Sequence, residues 1–279
     1  MKKFVKFMSL LVAGTMLLGA VGCGSSSTDN GGSEETTAEA SGAEGSGTAS
    51  VKTVQEGKLI WATNAEFAPY EYMEGSEVVG IDAEIADAIA AKLGLEAQVE
   101  NMDFDAIISS VTSGKADIGL AGMTVDPDRL NNVNFSDTYV EAGQAIVVTT
   151  DSDIKSAADL SGKIIGVQRG TTGDEYVSKA ENGVNPASVE RYGSGTDAAQ
   201  SLITGKIDAI VIDNEPAKKI AEASPDKLVK LDETLTSEEY AIAVDKNNTE
   251  LLDAINTALQ EMKDSGELQA ILDKYLNEE

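Results

Sequence analysis

The sequence predicts an α/β protein whose folded part forms two related lobes around a shared cleft. Two observations carry this. From about Val54 onward, short β-rich runs alternate with stretches of helical period, the pattern of parallel α/β layers. One unit within that alternation occurs twice, as DAIISSVTSGKADIGLAG over 105–122 and DAAQSLITGKIDAIVID over 197–213. Each copy reads as an amphipathic helix, Gly-Lys, one residue, Asp and an apolar strand. Aligned on Gly-Lys, Gly122 and Asp213 fall at the same place, the C-terminal end of the strand, where ligands collect in open α/β sheets.

The elements follow in order. KLIWAT, residues 58–63, reads as a strand. Over 82–93 the period is helical: Ile81, Ile85, Ile89 and Leu93 share one face, Asp82 is placed to cap the helix and Gly94 to stop it. The runs 118–121, 146–149, 163–167 and 207–212 are compact and apolar, and read as further strands. Residues 249–263 and 267–276 close the chain as helices.

Composition limits the chemistry. The chain has 279 residues, a net charge of −27, no histidine and one cysteine. Without histidine there is no imidazole base, no His-containing catalytic triad and no His-ligated zinc or haem. One cysteine makes no intramolecular disulfide, Cys₂ metal site or iron–sulfur cluster. Such an acidic chain repels phosphate backbones, so no nucleic-acid partner is expected. No cofactor and no metal are expected either.

The first residues read as an export signal. Lys2, Lys3 and Lys6 precede an uncharged, mostly apolar run from Phe7 to Gly22. That run is shorter than the ~20 apolar residues of a spanning helix. It ends as LLGAVGC, which resembles a bacterial lipoprotein signal with Cys23 as the lipid-modified first residue. A plain secretory signal with an incidental cysteine is the alternative. Residues 24–50 comprise 7 Ser, 6 Gly, 4 Thr, 4 Ala, 4 Glu, 1 Asp and 1 Asn. They hold too little apolar surface to offset their ordering entropy, so a tether is expected. The expected organisation is a signal over 1–22 and a lipidated cysteine with linker over 23–53, followed by the folded part.

Four segments at strand ends or turns could carry function. TNAEFAPYEY, 63–72, offers Asn64, Glu66 and the ring of Phe67, although Phe67 and Tyr70 equally suit a core. AGMTVDPDR, 121–129, carries Gly122, Met123 and Thr124 into a loop where Pro127 suits a first helical turn. Its Arg129 is one of three arginines, with a forked donor pair that matches a carboxylate, or simply a solvated surface residue. GVQRGTTGDEY, 166–176, places Gln168, Thr171 and Thr172 at a helix start whose amides attract anions; it lacks the spacing of a phosphate-binding P-loop. In VIDNEPA, 211–217, Asp213 either attracts a cation or caps the next helix. Together, Arg129 and the amides near Thr172 suit a carboxylate. Asp213, the Thr124 hydroxyl and the Gly122 carbonyl suit an ammonium. Those are the two ends of an α-amino acid, with Phe67 and Phe104 placed to sandwich its side chain.

The segments NAEFAPYEY, VVGIDAEIADAIA, MDFDAIISSVTSGKADIGLAGMTVDPDR, NFSDTY, GVQRGTTGDE and GKIDAIVID run in order from about Val54 to Leu276. In this combination the chain resembles a family 3 extracellular solute-binding protein of an ABC amino-acid importer. The resemblance implies a type II periplasmic-binding-protein fold, with two α/β lobes hinged by two crossing strands. Lobe 1 is then 54–143 plus 239–279 and lobe 2 is 144–238, with crossings near 142–146 and 238–241. It also implies that Arg129 binds the ligand carboxylate with the Thr124 and Thr172 amides, and that Asp213, Gly122 and Thr124 hold the α-amino group. Many members carry aspartate where Asn64 stands. Glutamine-binding relatives carry lysine at Gln168 and histidine at Ile212. These departures favour a neutral polar or apolar L-amino acid, with Glu66 a possible acidic selector. The expectation is a monomeric, lipid-anchored, extracytoplasmic binding protein that serves a membrane permease and is not an enzyme. The alternatives are an accessory sensing receptor and a carboxylate-based dehydratase on the same fold.

Overall fold

The computed structural model describes residues 51–277. The expected signal, Cys23 and nearly all of the tether lie outside the described residues. Residues 51–53, expected as the end of the tether, lie against the fold instead. Val51 packs on the core, and Asn248 donates to the Lys52 carbonyl at 3.0 Å. An apolar side chain with a core to reach does not stay in solvent.

The chain forms two five-stranded sheets of the same design. In the first, the order is Glu96–Asn101, Lys58–Thr63, Ile118–Gly119, Ala243–Asp245 and Val133–Phe135. In the second it is Ser188–Tyr192, Ile164–Gln168, Ala209–Asp213, Gln144–Thr149 and Leu228–Thr234. Each sheet has three parallel strands followed by antiparallel partners. The duplicated sequence unit maps onto the middle strand of each: Ile118–Gly119 in one and Ala209–Asp213 in the other. This is the two-lobed α/β architecture read from the sequence.

The inner strands Lys58–Thr63, Gln144–Thr149, Ile164–Gln168 and Ala209–Asp213 are largely apolar because both of their faces are covered, whereas the edge strands Glu96–Asn101 and Ser188–Tyr192 carry polar, exposed residues. Alternation along Lys58–Thr63 sends Ile60 and Ala62 into a cluster with Ile107 and Val111. It sends Leu59 and Trp61 toward Ile81, Ile85 and Ile89 of the helix Ile81–Leu93. In the second sheet, Ile146, Val148, Ile165, Val167 and Val211 form a corresponding cluster on one face. The helices Thr249–Ser265 and Glu267–Leu276 join the cluster of Leu59, Trp61 and Ile81 through Leu251, Ile255, Leu259 and Ile271. Among the described residues no helix is long and apolar enough to cross a membrane.

The chain passes between the sheets twice. The outgoing segment Val140–Ala142 pairs antiparallel with the returning segment Glu238–Tyr240, so the two passages form one ribbon. The strand Gln144–Thr149 that follows the outgoing segment belongs to the second sheet.

Two expected helix caps are corrected. The residue before helix Ile81–Leu93 is Gly80, at φ 125; Asp82 lies inside the first turn and is fully buried. Asp213 does stand at the start of helix Asn214–Ala223, yet its side chain makes no cap bond. Asp82 accepts instead from the Gly122 amide and the Tyr139 hydroxyl, and Asp213 from the Tyr240 hydroxyl. Gly94 does stop its helix, in a left-handed conformation.

Candidate functional site

The candidate site is a pocket at the strand ends of both sheets. The strand Lys58–Thr63 delivers Asn64, whose Nδ2 donates to the Met102 carbonyl at 2.9 Å. That bond orients the amide so that Oδ1 accepts from Gln168 Nε2, also at 2.9 Å, across the pocket. Gln168 ends the strand Ile164–Gln168, so these two amides join the sheets. The other oxygen of this pair, Gln168 Oε1, is buried and has no partner among the described residues.

Glu66 and Phe67 sit on one short strand and point in opposite directions. Phe67 lines the pocket. Glu66 is exposed and lines a separate groove with Thr196, Ile212 and Lys219. The expectation for Glu66 is therefore corrected: strand alternation turns it away, and Glu71 brings the carboxyl to the pocket. Met123 is also outside the pocket lining. Its side chain is fully buried with Ile60 and Ile107, and its carbonyl accepts from the Ala241 amide of the returning chain.

Gly122 must be glycine. Its φ is +50, and a Cβ there would lie 2.7 Å from Phe67 Cε1. Its amide donates to Asp82 Oδ2 at 2.7 Å. Thr124 follows, bridging to Tyr240 of the return ribbon and donating its hydroxyl proton to Glu238 Oε2 at 2.7 Å.

Arg129 sits on a single helical turn, Pro127–Leu130, with Pro127 at its start and Asp126 accepting from two amides as cap. It is not a solvated surface residue, being only 7% exposed. Nη1 donates to the Thr124 carbonyl at 2.9 Å and Nη2 to the Gly170 carbonyl at 3.1 Å. The guanidinium carbon lies 5.2 Å from the centre of the Phe104 ring. Phe104 thus supports the arginine as well as lining the pocket. No carboxylate forms an ion pair with Arg129 among the described residues. Burial draws its pKa below the ordinary arginine value, against the pull of Asp126 and other acids.

The second sheet supplies the opposite charge. Thr171 caps the helix Thr172–Ser178 and donates to the Gln168 carbonyl at 2.8 Å, so the turn is held to the strand end. Thr172 donates to Glu238 Oε2 at 2.8 Å. Asp213 is 4% exposed and accepts from the Tyr240 hydroxyl at 2.5 Å, with no cation paired to it. Burial raises its pKa to about 6, reinforced by the Glu238 charge and opposed by the Tyr240 hydrogen bond.

Beneath these groups lies a carboxyl pair that sequence reasoning missed. Glu71 is fully buried and lines the pocket, and neither of its oxygens meets a conventional donor. Its pKa stands well above the ordinary range, through burial and then the neighbouring Asp82 charge. Asp82 is raised to about 6 by burial, held back by the Gly122 amide and the Tyr139 hydroxyl. Two adjacent buried carboxyls with no cation share a proton. The signal for Glu71 was in TNAEFAPYEY, four residues past Phe67 on the antiparallel neighbour strand. Glu238 had no local signal, being 114 residues from Thr124.

Residues 59–278 match the family described as bacterial extracellular solute-binding proteins, family 3. The arginine-binding extracellular protein ArtP of Bacillus subtilis (strain 168) is 35% identical over 277 residues, covering 98% of this chain and 99% of that protein. The solved structure of an ancestral arginine-binding protein bound to glutamine is 42% identical, with a TM-score of 0.75 over 80% of this chain and 100% of that one. A third, an ancestral amino acid-binding protein described as a precursor of cyclohexadienyl dehydratase, is 31% identical with a TM-score of 0.72, covering 78% and 95%.

The carboxyl pair gives a signed pH effect. Asp82 holds its proton to higher pH in the folded state than in the unfolded chain. This contribution is complete below about pH 4 and is lost as pH rises through about 6. Asp82→Asn removes the titration. In urea denaturation the wild type should lose about 2–3 kcal/mol relative to that variant between about pH 4 and 7. Parallel stability profiles would contradict the buried pair.

Proposed function

The chain belongs to the bacterial extracellular solute-binding proteins of family 3, and from that membership we propose that it captures an L-α-amino acid in its cleft and delivers it to an ABC permease. One observation carries the reading: a buried cation, Arg129, and a buried anion, Asp213, line the same pocket and neither has an ion-pair partner among the described residues. Burying a charge costs several kcal/mol unless something pairs with it. A zwitterion pairs with both.

In this reading Arg129, assisted by the backbone amides of Thr124 and Thr172, holds the ligand carboxylate. Asp213, the Gly122 carbonyl and the Thr124 hydroxyl hold the ammonium. Phe67 and Phe104 flank the side chain, and Asn64 with Gln168 reads its end. The unpartnered Gln168 Oε1 favours a side chain with an N–H donor. An amide, as in glutamine, is the first choice and stays within the neutral polar class. A guanidinium is the second, supported by the arginine-binding relatives. No bond is made or broken. Ligand contacts both lobes, taken as 54–143 plus 239–279 and 144–238, and raises the closed population by as much as it prefers it. The protein acts as a monomer outside the cytoplasm, anchored by lipid at Cys23.

Calorimetric titration of the domain starting near Val51 tests this, after unfolding, dialysis and refolding to remove retained ligand. Against all L-amino acids, a saturable response to one or a few is expected, with the ligand recovered unchanged. Silence across the panel from a folded sample overturns the reading. Arg129→Ala should weaken binding by at least about 2 kcal/mol, roughly 30-fold, the cost of an unpaired carboxylate; a loss under threefold removes its role. Because ammonium binding needs ionised Asp213, Kd should rise about tenfold per unit as pH falls below about 6. Asp213→Asn should bind weakly and lose that slope. In cells, Cys23→Ser should move the protein from the membrane fraction to the soluble one; retention would exclude the lipid anchor.

A further inference from the structure

Glu238 lies on the return ribbon, beside the pocket rather than among its lining side chains. Its Oε2 accepts from Thr124 Oγ1 at 2.7 Å, Thr172 Oγ1 at 2.8 Å and, more weakly, Gln144 Nε2 at 3.5 Å. Its Oε1 accepts from Thr236 Oγ1 at 2.6 Å. The amides of Gln144 donate in turn to two of these hydroxyls, the backbone N–H to Thr236 at 2.9 Å and Nε2 to Thr172 at 3.1 Å. One carboxylate therefore receives three threonine protons, from both sides of the cleft and from the ribbon itself.

A threonine hydroxyl has one proton and two lone pairs. Thr172 and Thr236 each donate their proton to Glu238 and accept one bond from Gln144. Thr124 donates to Glu238 and has nothing donating to it. Its oxygen, which lines the pocket, can only accept from whatever enters. We propose that Glu238 is a positioning residue that fixes the Thr124 hydroxyl as an acceptor, so that this corner of the pocket selects a ligand ammonium over a group without N–H donors. The same arrangement leaves the ligand carboxylate to Arg129 and backbone amides, because neither threonine proton remains to offer it. The inference rests on the amino-acid reading above and adds the group that sets the polarity of its ammonium site.

The replacement Glu238→Gln keeps size and shape but can present an N–H₂ to the threonines. The Thr124 proton is then free to turn into the pocket, against the ammonium. The test compares two ligand pairs by NMR titration: L-glutamine with its des-amino analogue 5-amino-5-oxopentanoate, and L-arginine with 5-guanidinopentanoate. In wild type the amino acid should bind at least 30-fold more tightly than its analogue. In Glu238→Gln the amino acid should weaken about tenfold while the analogue changes by less than threefold, so the ratio contracts. A merely structural or hinge role weakens both members equally; that result, or no change in either, overturns the proposal.

Two further variants keep the outcome decisive if Glu238→Gln unfolds. Thr124→Val, which leaves Glu238 in place, should contract the ratio in the same way, and Thr124→Ser should preserve it. Equal losses for both ligands in Thr124→Val also overturn the proposal. If the wild-type protein binds no L-amino acid of the calorimetric panel, the amino-acid reading itself fails and takes this inference with it; if it binds one other than these two, the comparison is made with that amino acid and its des-amino analogue. If it binds an amino acid but the ratio does not move, only the role of Glu238 fails.

Discussion

One positive and one negative side chain are kept buried in the same pocket without being allowed to pair, and the surrounding structure serves that constraint. Arg129 comes from the helical turn Pro127–Leu130 beside the first sheet and Asp213 from a strand end of the second, and they form no ion pair among the described residues. Each is instead held by neutral dipoles: the carbonyls of Thr124 and Gly170 and the Phe104 face for the arginine, and the Tyr240 hydroxyl for the aspartate. Such partners lower the cost of burial without cancelling the charge. The site therefore remains electrostatically incomplete.

The other acids around the pocket do different work. Glu71 and Asp82 form a buried carboxyl pair beside Tyr139, and Asp82 holds the Gly122 amide, fixing the backbone of the strand end that lines the pocket. Glu238 gathers hydroxyl protons at the ribbon. None of the three has a cationic partner among the described residues, whereas the ion pairs of Lys92, Lys179 and Lys274 lie toward the surface. The interior uses carboxyls to set hydrogen-bond direction, and the exterior uses them as solvated charge.

The ribbon brings these groups together. The two passages between sheets are paired as one short ribbon, so the groups on it, Glu238 and Tyr240, lie near both lobes. Their hydrogen bonds to Thr124, Thr172 and Asp213 reach residues from each side. Pocket chemistry and hinge are thus built from the same few residues.

The sequence by itself determined the α/β class, the duplicated helix–Gly-Lys–strand unit and the placing of Gly122 and Asp213 at equivalent strand ends. Period-3.6 and period-2 patterns depend on local geometry, which a linear sequence records directly. Asn64, Phe67, Phe104, Thr124, Arg129, Gln168, Thr171 and Thr172 were also legible, because each sits where a strand or short run ends in a turn. Tertiary structure alone decided which acids enter the pocket. Glu66 and Glu71 lie five positions apart in one acidic, aromatic segment, and only the hairpin pairing turns the first outward and the second inward. Asp82 and Asp213 each occupy a helix start where capping was the plain local reading, and burial against other elements gave them Gly122 and Tyr240 as partners instead. Glu238 reaches Thr124 only through the returning ribbon. Side-chain direction and long-range hydrogen bonding arise from how elements pack, and no local pattern encodes the packing partner.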